Sequence, residues 1–289
     1  MPSPDRPRTF GASFASEMVN VGLAVRLELV LAVTGLAVAC LLATVTSLRF
    51  HDEVTLFPQL LLPGLVVALL LPWLVWKGDP PFGRAYLWTL PVRRQQAAAA
   101  KIAAGAVWLM LAMLLALLML AAMSLATGGT IGQTEVRLVG PFSGRLAGAT
   151  PTPWSTPLWM WVVPFGGALT AYVASTALFL GLRYPVRVVG AVAVMSSLVA
   201  VLAVNLPDDA LYRALGRFAE TMVEGRWGLD FALTGGIASL SEDVYVPGVG
   251  SRDIWVALPT AGRWAAALLV WFGGALLALV LALRRHWER

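Results

Sequence analysis

Residues able to act as nucleophiles, bases or metal ligands are scarce in this chain, and their types exclude most catalysis. The single cysteine, Cys40, rules out an internal disulfide and a thiolate zinc cluster, and two histidines, His51 and His286, are too few for a His-rich metal site. The only lysines are Lys77 and Lys101, and neither follows a Gly-x-x-x-x-Gly run, so the chain lacks a phosphate loop for binding or hydrolysing ATP. An intramembrane protease needs a Ser/His pair or a metal-binding His/Glu set at membrane depth, and neither histidine lies in an apolar run. The expectation is a protein that is not itself an enzyme and holds no cofactor or metal.

Aromatic, proline and arginine residues gather instead in residues 77–101, which begin Lys77-Gly-Asp-Pro-Pro-Phe-Gly-Arg-Ala-Tyr and end at Lys101. Pro80 and Pro81 can open a short helix, and Pro91, lacking an amide hydrogen, ends or kinks it. The helix covers Phe82 to Thr89, about two turns, with Phe82, Tyr86 and Leu90 at spacings of four. A second helix restarts after Pro91, carries Arg93 and Arg94 near its beginning, and runs through alanines into the next apolar run. Aromatics beside a basic turn make a docking surface for another protein. An ordinary positively charged cytoplasmic loop accounts for the same residues, and both readings stay open here.

The elements that must position this segment follow from composition. Of the 289 residues 58% are hydrophobic and 13% charged, with a mean hydropathy of +0.76. Soluble domains average roughly 45–50% apolar residues, so the chain reads as a polytopic membrane protein. Six stretches carry no Asp, Glu, Lys, Arg or His: 29–48, 57–76, 102–126, 158–182, 188–206 and 264–283. Each matches the roughly 20 helical residues that cross a hydrocarbon core. Unbroken apolar runs lack the alternation of barrel strands, so the fold class is all-α. Residues 1–28, 77–101, 183–187 and 284–289 hold 13 Lys and Arg in 64 positions, against 8 in 96 for 49–56, 127–157 and 207–263. The denser set belongs in the cytoplasm, with both termini. The net positive charge then reflects anionic lipid or a protein partner, not nucleic acid.

Within residues 1–28, Phe10, Phe14, Met18, Val21 and Val25 recur at helical spacing opposite Ser13, Ser16, Glu17 and Asn20, as in an interfacial amphipathic helix, and Arg26 and Glu28 mark the turn into the membrane. The 29–289 remainder is one transmembrane domain. Outside, Trp154, Trp159 and Trp161 read as an interfacial aromatic belt. Segment 207–263 is long enough to carry its own structure: Leu211, Leu215, Phe218 and Met222 form one stripe and Arg213, Arg217, Glu220 and Glu224 another, an amphipathic helix from Asp209 to Glu224. Gly235, Gly236, Pro247, Gly248 and Gly250 mark an irregular stretch after it. Glycine, serine and threonine in the spans suit close helix packing. No span holds a charge, which argues against ion-coupled transport, although Pro63, Pro72 and Pro164 could break helices. Asn205 either lines a pathway or ends its helix facing water.

At Leu87-Trp-Thr-Leu-Pro-Val-Arg-Arg-Gln95 and Lys101 the sequence resembles the permease subunits of type-2 ABC exporters, whose loop runs from a leucine-rich turn through Pro and basic residues to a Lys before the next span. Its layout of interfacial helix, six spans and a large outer loop before the last span is similar over nearly the whole chain. Phe82-Gly-Arg-Ala-Tyr departs from the acidic residue and Gly-Thr pair common in that family, which bears on how docking occurs. The resemblance implies a bacterial inner-membrane permease that pairs with a second permease copy, identical or similar, and with separate ATPase subunits that bind ATP and Mg. It makes Phe82, Arg84, Tyr86, Leu87, Leu90, Pro91, Val92, Arg93, Arg94 and Gln95 the coupling helix. Spans two and five line the family's pathway, which nominates Pro63, Pro72, Ser196, Ser197 and Asn205. Leu211, Arg213, Arg217 and Phe218 become an outer gate or a contact for an extracytoplasmic protein. The alternatives are a self-contained secondary carrier and an assembly subunit that recruits a partner through 207–263.

Overall fold

The computed structural model describes residues 10–77, 94–140, 149–205, 209–225, 227–246 and 250–285. In chain order the helices are α1 Phe10–Phe50, α2 Pro63–Val75, α3 Arg94–Ala126, α4 Val163–Gly181, α5 Pro185–Asn205, α6 Asp209–Ala219, α7 Leu229–Thr234, α8 Ile237–Leu240 and α9 Ala261–Arg285. Five helical segments, 10–50, 58–75, 96–126, 158–181 and 261–284, are long and apolar enough to cross a bilayer. Two of them begin with a 3₁₀ turn, Pro58–Leu61 before α2 and Leu158–Trp161 before α4. A proline then opens each α-helix, where its missing N–H has no intrahelical partner to lose. The apolar run 188–206 is helical too, as α5.

The N-terminal region differs from its reading in the sequence. No turn occurs at Arg26 to Glu28; α1 is unbroken over 41 residues, about 62 Å at ~1.5 Å per residue. That is twice the roughly 30 Å of a hydrocarbon core, so its leading turns project beyond the charge-free run. Its buried seam is Ser13, Glu17, Val21 and Val25, spaced by four, with Phe14 and Met18 half-buried beside it and Phe10 exposed. Two residues of the expected polar side are thus packed inside the protein, because a partner helix, α3, covers that side. At the other end, Asp52 N–H bonds to Ser47 O at 3.0 Å while His51 takes a φ of 59°. This is a Schellman stop with histidine in the left-handed position usually given to glycine.

α1 lies along α3, α2 along α4, and α4 along α9, with α7 packed between α4 and α9. Their shared core includes Val21, Leu71, Leu109, Met113, Tyr172 and Leu180. α5 stands apart. Among the described elements its main packing partner is α6, the next helix, and Val186, Val192, Val194 and Met195 are each more than half exposed.

The segments read as outer loops, 127–157 and 207–263, are not helical throughout. β1 Thr134–Val139, β2 Thr150–Ser155, β3 Ser241–Val246 and β4 Gly250–Trp255 form one sheet in the order β2-β1-β4-β3. The outer pairs are antiparallel hairpins, and β1 joins β4 in parallel at Leu138↔Ile254 and Val139↔Trp255. The stretch read as irregular is therefore a hairpin completed by a distant partner, which six-residue alternations flanked by Gly and Pro do not announce. A short bridge from Leu56 to Ile131 adds segment 51–57 to the same end of the molecule. Under the sheet, Phe231, Ala232, Leu240, Trp255 and Ala267 form a second small core.

Candidate functional site

Phe82, Arg84, Tyr86, Leu87, Leu90, Pro91, Val92 and Arg93 lie outside the described residues, while Arg94 and Gln95 belong to the first turn of α3. What is described is the frame that carries the two ends of this segment. Trp76 closes α2, and the Lys101 ammonium of α3 sits 4.7 Å from the centre of its ring. Such a cation–π contact contributes about 0.5–2 kcal/mol depending on desolvation, and Lys101 is buried. Beside it Lys77 Nζ lies 3.9 Å from Glu28 Oε1, linking the end of α2 to α1. Tyr172 of α4 is fully buried and donates its hydroxyl to Ile102 O at 3.0 Å. A side chain at Gly105 would stand 2.2 Å from that hydroxyl oxygen, so glycine is what lets α4 approach α3. Ser175 Oγ donates to Leu69 O at 2.6 Å, tying α4 to α2. Trp108 Nε1 donates to Met18 O at 2.9 Å over Gly22, tying α3 to α1. The residues flanking 78–93 are thus cross-tied among four helices, α1 to α4.

The nominated pathway residues separate into two groups. Pro63 and Pro72 share α2: Pro63 is exposed beside a crevice between α1, α2 and α3, and Pro72 is fully buried in the core. Ser196 and Ser197 are exposed on α5, and Asn205 is its last residue. Within one chain the structure does not pack α5 on α2, so these residues form no joint pore wall there. Of the residues read as an outer gate or partner contact, Arg213, Arg217 and Phe218 are exposed on α6, with Arg217 Nε donating to Arg213 O at 3.4 Å. Leu211 lies in the same helix, which ends in a π-helical turn at Glu220–Glu224.

Of the three tryptophans read as a belt, Trp159 stacks on Trp264 at 5.8 Å, joining the start of α4 to α9, and Trp161 packs against the core. Trp154 does otherwise: it sits on β2 with Arg137 of β1 over its ring at 4.7 Å, and Trp255 of β4 faces the same guanidinium at 3.9 Å. Arg137 Nε donates to Glu135 Oε1 at 2.6 Å, while its buried Nη1 has no hydrogen-bond partner among the described residues. Asp230 is a second polar centre that the sequence reading passed over. Its carboxylate accepts from Thr234 Oγ1 at 2.5 Å and from the Ser239 amide and hydroxyl at 2.9 and 2.5 Å, folding α7 against α8 across Gly235 and Gly236. The i, i+4 spacing of Asp230 and Thr234 was a usable signal; the stacking around Arg137 depends on strand pairing and left none. No protein-family model matches the chain, and neither a curated protein nor a solved structure shows significant similarity to it.

Proposed function

We propose that the chain is the membrane-spanning permease of an ATP-driven exporter of the type-2 ABC kind, powered by separate ATPase subunits that bind ATP and Mg. The observation that carries this reading is the Leu87-to-Gln95 motif in the longest basic segment between spans. Support comes from its surroundings: both ends of the segment root in helices tied to one another through Trp76, Lys101, Tyr172 and Trp108. A lever needs such a frame, because a flexible root would absorb the movement of the ATPase. Residues 82–96 press into the ATPase, with Arg93 and Arg94 meeting its acidic side chains.

Six spans are part of the proposal, and α5 is the sixth. A helix of 21 residues that leaves its apolar side chains uncovered suits a bilayer and a second permease copy. With the basic segments inside, Ser196, Ser197 and Asn205 of α5 would meet Pro63 and Pro72 of α2 across two copies and not within one. The test is coexpression with a neighbouring ATPase. Copurification is expected, and Leu90→Asp with Arg93→Glu should abolish substrate-coupled ATP hydrolysis while the permease still inserts. Failure to copurify, together with unchanged coupling in the double variant, overturns the proposal, as does uptake driven by an ion gradient in vesicles holding this chain alone.

One observation favours a second reading, an assembly subunit. The sheet, α6 and α7 build a larger outer cap than connections between helices require. Removing α6 should then cost capture of an extracytoplasmic partner, with no transported molecule affected.

A further inference from the structure

The crevice between α1, α2 and α3 borders the frame at Trp108 and Glu28, and its two ends differ in a way that specifies an occupant. It encloses about 370 Å³. Along α2 its wall runs from Pro63 to Leu74, about 17 Å at ~1.5 Å per residue, with Leu60 and Leu61 of the preceding 3₁₀ turn extending it, and α1 and α3 face it with Leu36, Met113 and Ala116 among others. Ala32, Pro63, Val67 and Leu115 at its edge are exposed, so in a bilayer it opens sideways towards lipid tails. One lining side chain is ionisable: Glu28, at the end of the slot, 3.9 Å from Lys77 Nζ. In the sequence Glu28 immediately precedes the charge-free run 29–48, and Lys77 immediately follows 57–76. The pair therefore lies at headgroup depth and the slot at tail depth.

An empty apolar slot in a bilayer forfeits dispersion contacts on its whole lining, so tail-like matter fills it. Transfer of a tail from the bilayer gains little hydrophobic energy, since both surroundings are apolar; selection falls to the charges at the mouth. Those charges are available. Lys77 and Glu28 are 74% and 34% exposed at the side chain, and an open pair of this sort holds itself together by only about 0–1 kcal/mol. Each partner can exchange the other for a headgroup of opposite sign at little loss. A headgroup carrying both signs satisfies both at once, phosphate at Lys77 and ammonium at Glu28.

We propose that this crevice is a lipid site that takes an acyl chain of an amine-bearing zwitterionic phospholipid, with its headgroup between Glu28 and Lys77. The site does not rest on the exporter reading, and its test requires no ATPase. The full chain is reconstituted in phosphatidylethanolamine and phosphatidylglycerol vesicles containing a trace of phosphatidylethanolamine with a photoactivatable diazirine in its acyl chain, and adducts are mapped by mass spectrometry. Adducts should concentrate at Leu36, Val67 and Met113 over Leu41, Leu42 and Leu269, which are exposed outside the crevice. A phosphatidylglycerol probe with the same chain should label the crevice several-fold less. Ala116→Phe, which fills the slot, should remove crevice adducts and keep those at Leu269; Glu28→Gln should erase the preference between the two probes. Adducts spread evenly over all tail-facing residues overturn the site. Equal crevice labelling by both probes in the unmodified chain overturns the headgroup assignment, and that comparison needs no variant to fold.

Discussion

Arg137 is held by ring faces more than by counter-charge: Trp154 and Trp255 flank its guanidinium, and Glu135 occupies Nε alone. A planar, weakly hydrated cation suits that slot and an ammonium does not. Arg137→Lys should lower the stability of the four-stranded sheet by about 1–3 kcal/mol, because the flat contact is lost while a charge stays buried. Arg137→Met should cost less than the lysine variant, since it removes the unpartnered Nη1 along with the charge. Thermal unfolding in detergent, followed by near-ultraviolet circular dichroism of the tryptophans, ranks the two; a lysine variant as stable as the native chain contradicts this account. In the sequence Arg137 is one more charge in an outer loop, since its partners come from strands far along the chain. Arg93 and Arg94 could be nominated from the sequence for the opposite reason: the pattern that singles them out is contiguous around Pro91.

Helices α3 and α4 approach closely where Gly105 faces Tyr172. Gly105→Ala places a methyl where the tyrosine oxygen stands, so Tyr172 must move and surrender its bond to Ile102 O. We expect a loss of about 1–3 kcal/mol for Gly105→Ala and about 1 kcal/mol for Tyr172→Phe. The pair in one chain should cost no more than Gly105→Ala alone, because the second change removes a bond already broken. Full additivity in a denaturation cycle places the two out of contact. At the end of α1, His51→Gly should raise stability by about 0.5–1 kcal/mol, as glycine adopts the left-handed conformation without a Cβ penalty; a lower unfolding temperature would show that histidine's side chain is what stops the helix. Spans of this length are readable because a single stretch of chain carries the whole signal. The continuity of α1 through Arg26 and Glu28 was not, since a charged pair ends a span as readily as it rides on a helix that outruns the bilayer.

At the scale of the molecule, strand pairing constrains the count of crossings. β1 and β4 share one sheet, so the chain between Val139 and Ile254 must cross the bilayer an even number of times. α4 supplies one crossing; α5, the longest helix left in that interval although not one of the five long, apolar segments and barely packed, supplies the second in the six-span proposal. The bridge between Leu56 and Ile131 extends the same logic to α2 and α3, whose two crossings return the chain to the sheet side. The segments so gathered are the ones poor in Lys and Arg, the property by which the sequence reading assigns them to the outside and residues 77–101 to the cytoplasm. In a Cys40→Ser background, Arg145→Cys and Asp253→Cys should react with a membrane-impermeant maleimide on intact cells, whereas Tyr184→Cys and His286→Cys should react only after permeabilisation. Labelling of Tyr184→Cys on intact cells would leave α5 outside the bilayer, and with it the proposed contact between spans two and five of paired permeases.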